Sequence, residues 1–437
     1  MTGSRRTAAP EVAVDEAAAG FRTYEVYQRE RVWEPRPPIK PRELYTPQFL
    51  DDPYPVLTAL REATPCYRDW PGNAFWVTRY DDVTSVFVDE PNYVTRPRAW
   101  FAELEGIGQD RRDEIAVRAC VSRIVDAAAA EVAHALCDEL AAEQDGAGAA
   151  DLAIGFAARY PVELWARVLG LPAPSFAWFA ERLLRLRRAG SWEPRSREDA
   201  RTAFHELLAG LLPVVAQRRD APGDDLISVI AGLGGDGRDV VATLLEEDHD
   251  TLHGSLANLW FLLLTHRDQL GIVTEERRLV KAAWLEAMRH STPVLIARRF
   301  TRHEVERFGR LLPDGALVVC SAAAANRDPR AFSDPDTFSI TRKDLCHREA
   351  RGHYRADGLC SPVSFGTGAP SKHPALPEDR PRSRFALTRD TAVTASRVLL
   401  ERLGDVTLAA GATPTLRSLQ WGELRTCWSL PVTFTPG

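Results

Sequence analysis

Acidic, imidazole and hydroxyl side chains are concentrated in one short stretch of the chain, residues 246–253. The stretch reads Glu246, Glu247, Asp248, His249, Asp250, Thr251, Leu252 and His253. Asp250 and Thr251 form a neighbouring acid–alcohol pair, and burial would raise the pKa values of Glu247 and Asp250 into a range suited to proton transfer. The stretch therefore predicts an acid–base site with Glu247, Asp250 and Thr251 as its catalytic residues.

The same stretch also offers candidate metal ligands. On a helix, positions 246, 249, 250 and 253 share one face, because residues three and four apart are neighbours. Glu-x-x-His is the ligand spacing of di-iron helical bundles, although those bundles take further carboxylates from other helices. Glu246, His249 and His253 are thus candidate ligands of a non-haem metal. The alternative is a polar helix face that binds no metal.

Helices dominate the elements that must position these residues. Apolar residues recur at spacings of three and four along much of the chain, and a long helix is predicted from about residue 239 to residue 266. The other predicted helices cover residues 54–62, 152–171, 176–186, 202–217, 226–232, 275–290 and 388–403. Short strands are predicted at residues 74–78, 298–301, 304–308 and 316–320, and near 416 and 427–433.

Composition narrows the class of protein. The chain has 437 residues, 45% of them hydrophobic, and a formal net charge of -6. That is enough for a large core, and the absence of a densely basic stretch argues against a nucleic-acid partner. No apolar run is long enough to span a membrane, and the first twenty residues do not read as a signal peptide. Seven scattered cysteines suggest reduced thiols, so a cytoplasmic protein is expected.

Two segments are expected along the chain. Residues 1–45 begin with an Ala-rich polar stretch and continue into a Pro-rich stretch, so they predict a disordered or extended N-terminal arm. Residues 46–437 show no repeat and no clear linker. They predict one mainly α domain with minor β structure.

Several motifs in this order resemble the cytochrome P450 superfamily, specifically its soluble bacterial type. They are Asp52-Pro53-Tyr54-Pro55, residues 76–83, Pro222-Gly223-Asp224-Asp225-Leu226, Glu286-Ala287-Met288-Arg289, residues 324–329 and residues 332–336. The resemblance implies the cytochrome P450 fold, a helix-rich triangular domain with small sheets. It also implies a small hydrophobic substrate. Glu286 and Arg289 share a helix face and can form a bidentate pair, and the resemblance implies Arg327 as their third, structural partner.

The haem loop of that family runs Phe-Gly-x-Gly-x-His/Arg-x-Cys-x-Gly, and residues 365–374 follow only its opening. Counting from Phe365 and Gly368 places Lys372 at the cysteine position. Counting back from the end of the last helix places Arg382 there, which indicates an insertion. No cysteine lies between Cys360 and Cys427. His373, beside Lys372, is the alternative iron ligand if haem is kept.

Other cofactor positions of the family differ as well. Glu114 stands where the family has a propionate-binding histidine, whereas Arg118 and Arg299 keep the two arginines that the resemblance assigns to the propionates. Glu247 and Asp248 replace the alanine and glycine that the resemblance places above the iron. Together these changes favour loss of the cofactor.

The sequence therefore predicts a cytochrome P450-fold protein of small-molecule, secondary metabolism with a rewritten cofactor site. The first expectation is a haem-free protein with no cofactor, either a non-redox enzyme or an auxiliary partner of a biosynthetic enzyme. The alternative is a haem-binding oxidoreductase, monooxygenase-like or peroxidase-like, with haem b held by a nitrogen ligand. A second alternative is the non-haem metal enzyme described above.

Overall fold

The computed structural model describes residues 39–40, 42–95, 114–142, 148–186, 194–246, 249–348, 359–364, 383–418 and 424–436. The side chains at positions 114, 194, 246, 249 and 436 are outside this description. The α-helices are α1 Pro47–Asp51, α2 Tyr54–Ala63, α3 Tyr80–Val88, α4 Glu114–Ala142, α5 Arg159–Val168, α6 Phe176–Leu186, α7 Pro194–Asp220, α8 Leu226–Gly232, α9 Gly237–Glu246, α10 His249–Thr265, α11 Arg267–Glu275, α12 Val280–His290, α13 Ala322–Asn326 and α14 Arg384–Arg402.

Short helices and strands complete the fold. Turns of 3-10 helix cover Glu43–Tyr45, Ala173–Ser175 and Arg277–Leu279, and a π-helix covers Ala153–Ala158. The strands are β1 Cys66–Asp69, β2 Ala74–Val77, β3 Tyr93–Val94, β4 Gly148–Asp151, β5 Ile296–Thr301, β6 Val305–Arg307, β7 Arg310–Leu312, β8 Leu317–Ser321, β9 Leu403–Leu408, β10 Leu416–Ser418, β11 Arg425–Cys427 and β12 Pro431–Pro436.

The largest sheet among the described residues has five strands in the order β1-β2-β8-β5-β3. Strands β2 and β8 run parallel with Trp76 opposite Val319, and β5 runs antiparallel to β8 with Arg299 opposite Val318. Both β2 and β8 are buried along their whole length, as expected for central strands. Strands β10 and β11 form a separate antiparallel pair.

Helix α10 runs through the core. Its residues Leu256, Ala257, Leu259 and Leu262 are buried although they lie on different sides of the helix, which is typical of a helix enclosed by protein. It packs against α5, α12, α14 and β11, while α4 lies along α14. Side-chain caps fix several helix starts; Ser383, for example, accepts a hydrogen bond of 3.1 Å from the amide of Ala386 at the start of α14.

The long helix expected from residue 239 to residue 266 is matched by α9, Gly237–Glu246, and α10, His249–Thr265, and positions 247 and 248 between them lie outside the described residues. The last residues of the predicted N-terminal arm are part of the folded domain, because Glu43–Tyr45 is helical and Leu44 is fully buried. No described helix could cross a membrane.

Candidate functional site

The first turn of α10 carries two of the predicted catalytic residues. Thr251 is fully buried and Asp250 is half-buried. Glu247, the third predicted catalytic residue, lies outside the described residues. The structure thus places the acid–alcohol pair where the central helix enters the core, and it leaves the role of Glu247 as a prediction.

Gly254, one turn further along α10, allows close contact with two neighbouring segments. A Cβ atom at this position would lie 2.4 Å from Cβ of Pro293 and 2.6 Å from Cδ1 of Leu424. Such distances are far below ordinary van der Waals contact, so only glycine fits here without displacement. The segment after α12 and the residue before β11 therefore form a wall against α10, just beyond Thr251.

Asn258 on α10 forms hydrogen bonds to the same two segments, the end of α12 and strand β11. Its Nδ2 donates to the carbonyl oxygens of Ser291 (2.8 Å) and Arg425 (3.0 Å), and its Oδ1 accepts from the amide of Cys427 (3.2 Å). Asn258 is buried, and these three bonds satisfy its side chain. These bonds hold helix α10, the end of α12 and strand β11 in fixed positions relative to one another.

Glu286 and Arg289 on α12 form the predicted bidentate pair. Arg289 Nε and Nη2 donate to the two carboxylate oxygens of Glu286, each at 2.7 Å, and both side chains are fully buried. Arg289 also donates to the carbonyl oxygens of Asn326, Pro335 and Thr337. This pair therefore ties α12 to the loop that follows α13, as expected for a structural role.

The third partner is Arg342, which the sequence reasoning missed. Arg342 Nη1 donates to Oε1 of Glu286 at 3.2 Å, and its side chain is 8% exposed. The predicted partner, Arg327, instead donates to the carbonyl oxygen of His290, pairs with Asp336 and stacks on Tyr54. The two arginines both follow α13, and nothing in their local sequence distinguishes the one that contacts Glu286.

The start of the predicted haem loop is anchored beneath α12. Ser364 Oγ donates to the carbonyl oxygen of Met288 (3.1 Å) and accepts from Oγ1 of Thr292 (2.8 Å), and Val363 donates its amide to Asn326 (2.9 Å). Residues 365–382 lie outside the described residues, and this range contains the predicted cofactor residues Phe365, Gly368, Lys372 and His373. Their placement stays a prediction.

Arg299 on β5 is a cation without an acidic partner among the described residues. Its guanidinium lies over the ring of Phe87, 4.8 Å from the centroid, and donates to the carbonyl oxygen of Arg298 at 2.9 Å. Burial lowers its pKa, and in the described part of the chain no carboxylate pairs with it. A desolvated cation is costly unless an anion compensates it, so this position fits the carboxylate of a cofactor.

The remaining predicted ligands are only partly described. Arg118 is half-buried on α4. His253 is buried, with its ring 5.7 Å from that of Trp428 in an edge contact. The side chains of Glu246 and His249 are not described, so the predicted metal site is untested. In the described ranges, no group of three or more acidic, histidine or cysteine side chains could hold a metal ion.

Comparisons with known proteins give the chain relatives over most of its length. It is 26% identical over 351 residues to pulcherriminic acid synthase of Bacillus subtilis, covering 76% of the chain and 85% of the relative. It is 28% identical over 402 residues to cytochrome P450 monooxygenase PikC of Streptomyces venezuelae, covering 85% of the chain and 89% of the relative. No protein-family model matches the chain.

Solved structures confirm the predicted fold class. A structure of P450BioI with an acyl carrier protein ligated to hexadec-9Z-enoic acid superposes with a TM-score of 0.71 at 22% identity, covering 89% of the chain and all of that structure. A ligand-free structure of cytochrome P450 TbtJ1 gives a TM-score of 0.70 at 22% identity, covering 88% of the chain and 99% of that structure.

These relatives overturn the first expectation from the sequence. A haem-free protein without a cofactor, acting as a non-redox enzyme or as an auxiliary partner, conflicts with relatives named as cytochrome P450 enzymes, which are haem proteins. The expectation gave more weight to the substituted side chains than to the two retained arginines, Arg118 and Arg299. The haem-binding alternative agrees better with the relatives.

Proposed function

We propose that this chain, as a member of the cytochrome P450 superfamily, is a haem-dependent oxidoreductase of secondary metabolism with a small hydrophobic substrate. The relatives include enzymes named as a hydroxylase and an epoxidase of natural products. Haem, when bound, supplies the redox chemistry at dioxygen or peroxide. The partner biosynthetic enzyme suggested by the sequence stays a prediction.

One observation in the structure carries the proposal. Arg299 presents a partly buried guanidinium with no described carboxylate beside it, on the strand next to the fully buried β8. A haem propionate would neutralise this charge and would accept charge-assisted hydrogen bonds from the guanidinium. Arg118 on α4 is the second candidate for propionate binding.

We propose that a nitrogen atom from residues 365–382, not a thiolate, would bind the iron. This range contains no cysteine, but it contains His373 and Lys372. Ser364, which is buried and hydrogen-bonded to Met288 and Thr292, fixes the entry to the range. Imidazole ligation is typical of peroxidases and globins, and a thiolate favours O–O cleavage. The proposed activity is therefore peroxidase-like or an altered form of monooxygenation.

Helix α10 would supply the proton-handling groups. Thr251 is fully buried, and Asp250 beside it is half-buried and can exchange protons with solvent. A hydroxyl group can pass on a proton that a neighbouring carboxyl group donates, which suits delivery of protons into a closed site. Glu247 is a further candidate for this role.

The ligand assignment is tested by absorption spectra of variants. We expect His373→Ala to move the Soret band of the haem-loaded protein, with Lys372→Ala as the matched control one position away. A shift in K372A alone would assign the lysine. Unmoved bands in both variants would reject both ligands, while haem content would still report separately on haem binding.

A further inference from the structure

The hairpin formed by β10 and β11 carries two buried polar side chains on one face. Ser418 and Arg425 are cross-strand partners, so their side chains project from the same face with Cβ atoms about 5 Å apart. Ser418 is fully buried and Arg425 is 7% exposed. The backbone of Arg425 is fixed by Pro293, whose carbonyl oxygen accepts its amide at 2.8 Å, and by Asn258.

The Arg425 side chain has few contacts for a buried cation. Its Nη2 donates to the carbonyl oxygen of Asp51 at 3.0 Å, and its guanidinium lies 5.5 Å from the ring centroid of Tyr54. Its Nε is buried and has no hydrogen-bond partner among the described residues. Burial lowers the pKa of Arg425. The positive charge of Arg327, which also contacts the ring of Tyr54, lowers this pKa further.

The hydroxyl group of Ser418, like Nε of Arg425, is buried without a described hydrogen-bond partner. An unpaired buried hydroxyl costs free energy, as does an unpaired guanidinium N–H. Both costs fall on one face of one hairpin. A single acceptor placed between them would satisfy both donors.

Among the described residues, the side chain of Asp51 does not fill this role. Asp51 turns its side chain towards Arg417, which lies on the same hairpin, and the two pair at 2.8 Å. The side chains of Arg417 and Asp51 are 52% and 59% exposed, so this ion pair lies at the surface. Arg425 therefore lies just below the surface, and no ion pair to a described carboxylate compensates its positive charge.

We propose that Arg425 and Ser418 form a binding site for a small oxyanion, with a carboxylate as the best match. The carboxylate would accept from Nε of Arg425 and from the hydroxyl group of Ser418, and would neutralise the guanidinium. Strand β11 is hydrogen-bonded to α10 through Asn258, and Leu424, the residue before β11, lies against Gly254 of α10. The anion could be the carboxylate of a hydrophobic substrate or a free inorganic oxyanion.

Isothermal titration calorimetry of the full chain, in one haem state throughout, tests the site. Sodium decanoate and sodium sulfate are titrated separately at constant ionic strength. At least one of them should bind the unmodified protein. Arg425→Gln should weaken that binding about tenfold or more, and Ser418→Ala by roughly threefold to tenfold, because charge-assisted hydrogen bonds exceed neutral ones. Arg417→Gln, on the exposed face of the hairpin, should change it less than about twofold.

The two anions separate the sources. Binding of decanoate alone supports a substrate carboxylate, and binding of sulfate, with or without decanoate, supports a general oxyanion site. If neither anion binds, or if R425Q and S418A bind as tightly as the unmodified protein, the proposal is overturned. Should R425Q fail to fold, Arg425→Lys, which keeps the charge and removes Nε, takes its place. Haem binding is read separately from the absorption spectrum, so a failure here does not bear on the proposed function.

Discussion

Replacing Arg342 with methionine should destabilise the protein more than the same change at Arg327. Arg342 donates to Glu286, a fully buried carboxylate, and its own side chain is 8% exposed. Removing it deletes one charge-assisted hydrogen bond of a buried network, but Glu286 keeps Arg289 and the amide of Ser339 at 3.0 Å. We therefore expect a loss of about 1.5–3 kcal/mol in the free energy of unfolding. Removing Arg289 instead should cost about 3–5 kcal/mol.

A double-mutant cycle measures this network directly. The free energy of unfolding is taken from urea transitions followed by circular dichroism, for Glu286→Gln, Arg342→Met, Arg327→Met and the two double variants. We expect a coupling energy between positions 286 and 342 of roughly 0.5–3 kcal/mol, and additivity within about 0.5 kcal/mol between 286 and 327. Coupling to Arg327 with additivity at Arg342 would refute the assignment of Arg342 as the third partner.

Three further changes have defined outcomes. Gly254→Ala should lower the free energy of unfolding by about 1–3 kcal/mol, because its Cβ would overlap Pro293. Gly271→Ala, in α11 with open space around it, should raise the free energy of unfolding by about 0.4–1 kcal/mol. Urea unfolding measures both, and equal effects would contradict the close contact at Gly254. Arg299→Leu should lower haem content at saturating haem, with Arg299→Lys intermediate; unchanged content in the leucine variant would remove Arg299 from the site. Burial, and after it the charge of Arg327, lowers the pKa of His290, so the unfolded chain binds more protons than the folded one. Stability should therefore fall as pH drops below the ordinary histidine pKa of about 6.5. The free energy of unfolding of His290→Gln should fall less steeply between neutral and acidic pH, and an equal slope would contradict this role of His290.

Apolar periodicity predicted the helices well where one face is buried. The predicted limits of α6 and α8 coincide with those in the structure, because Phe179, Leu183 and Ile230 lie on buried faces at helical spacing. The long central helix was predicted over residues 239–266, and α9 and α10 cover Gly237–Glu246 and His249–Thr265, because the apolar residues keep helical spacing through this range.

The candidate site shows what sequence could and could not give. The spacing of Glu286 and Arg289 was enough to predict their pair, since helix geometry fixes which residues face each other. Arg342 could not be found this way, because its contact depends on how a loop after α13 folds back onto α12. Haem loss was inferred from changed side chains at single positions, and relatives named as cytochrome P450 enzymes contradict that inference.

The central claim, a haem protein with a nitrogen ligand, is tested most directly by the absorption spectrum of the purified protein, oxidised and then reduced under carbon monoxide. The proposal predicts a Soret band in the oxidised protein and, after reduction with carbon monoxide, a band at the position typical of haem held by nitrogen. The red-shifted carbon monoxide band of thiolate-ligated haem would contradict the nitrogen ligand. Absence of any Soret band after expression with a haem precursor would contradict haem binding itself.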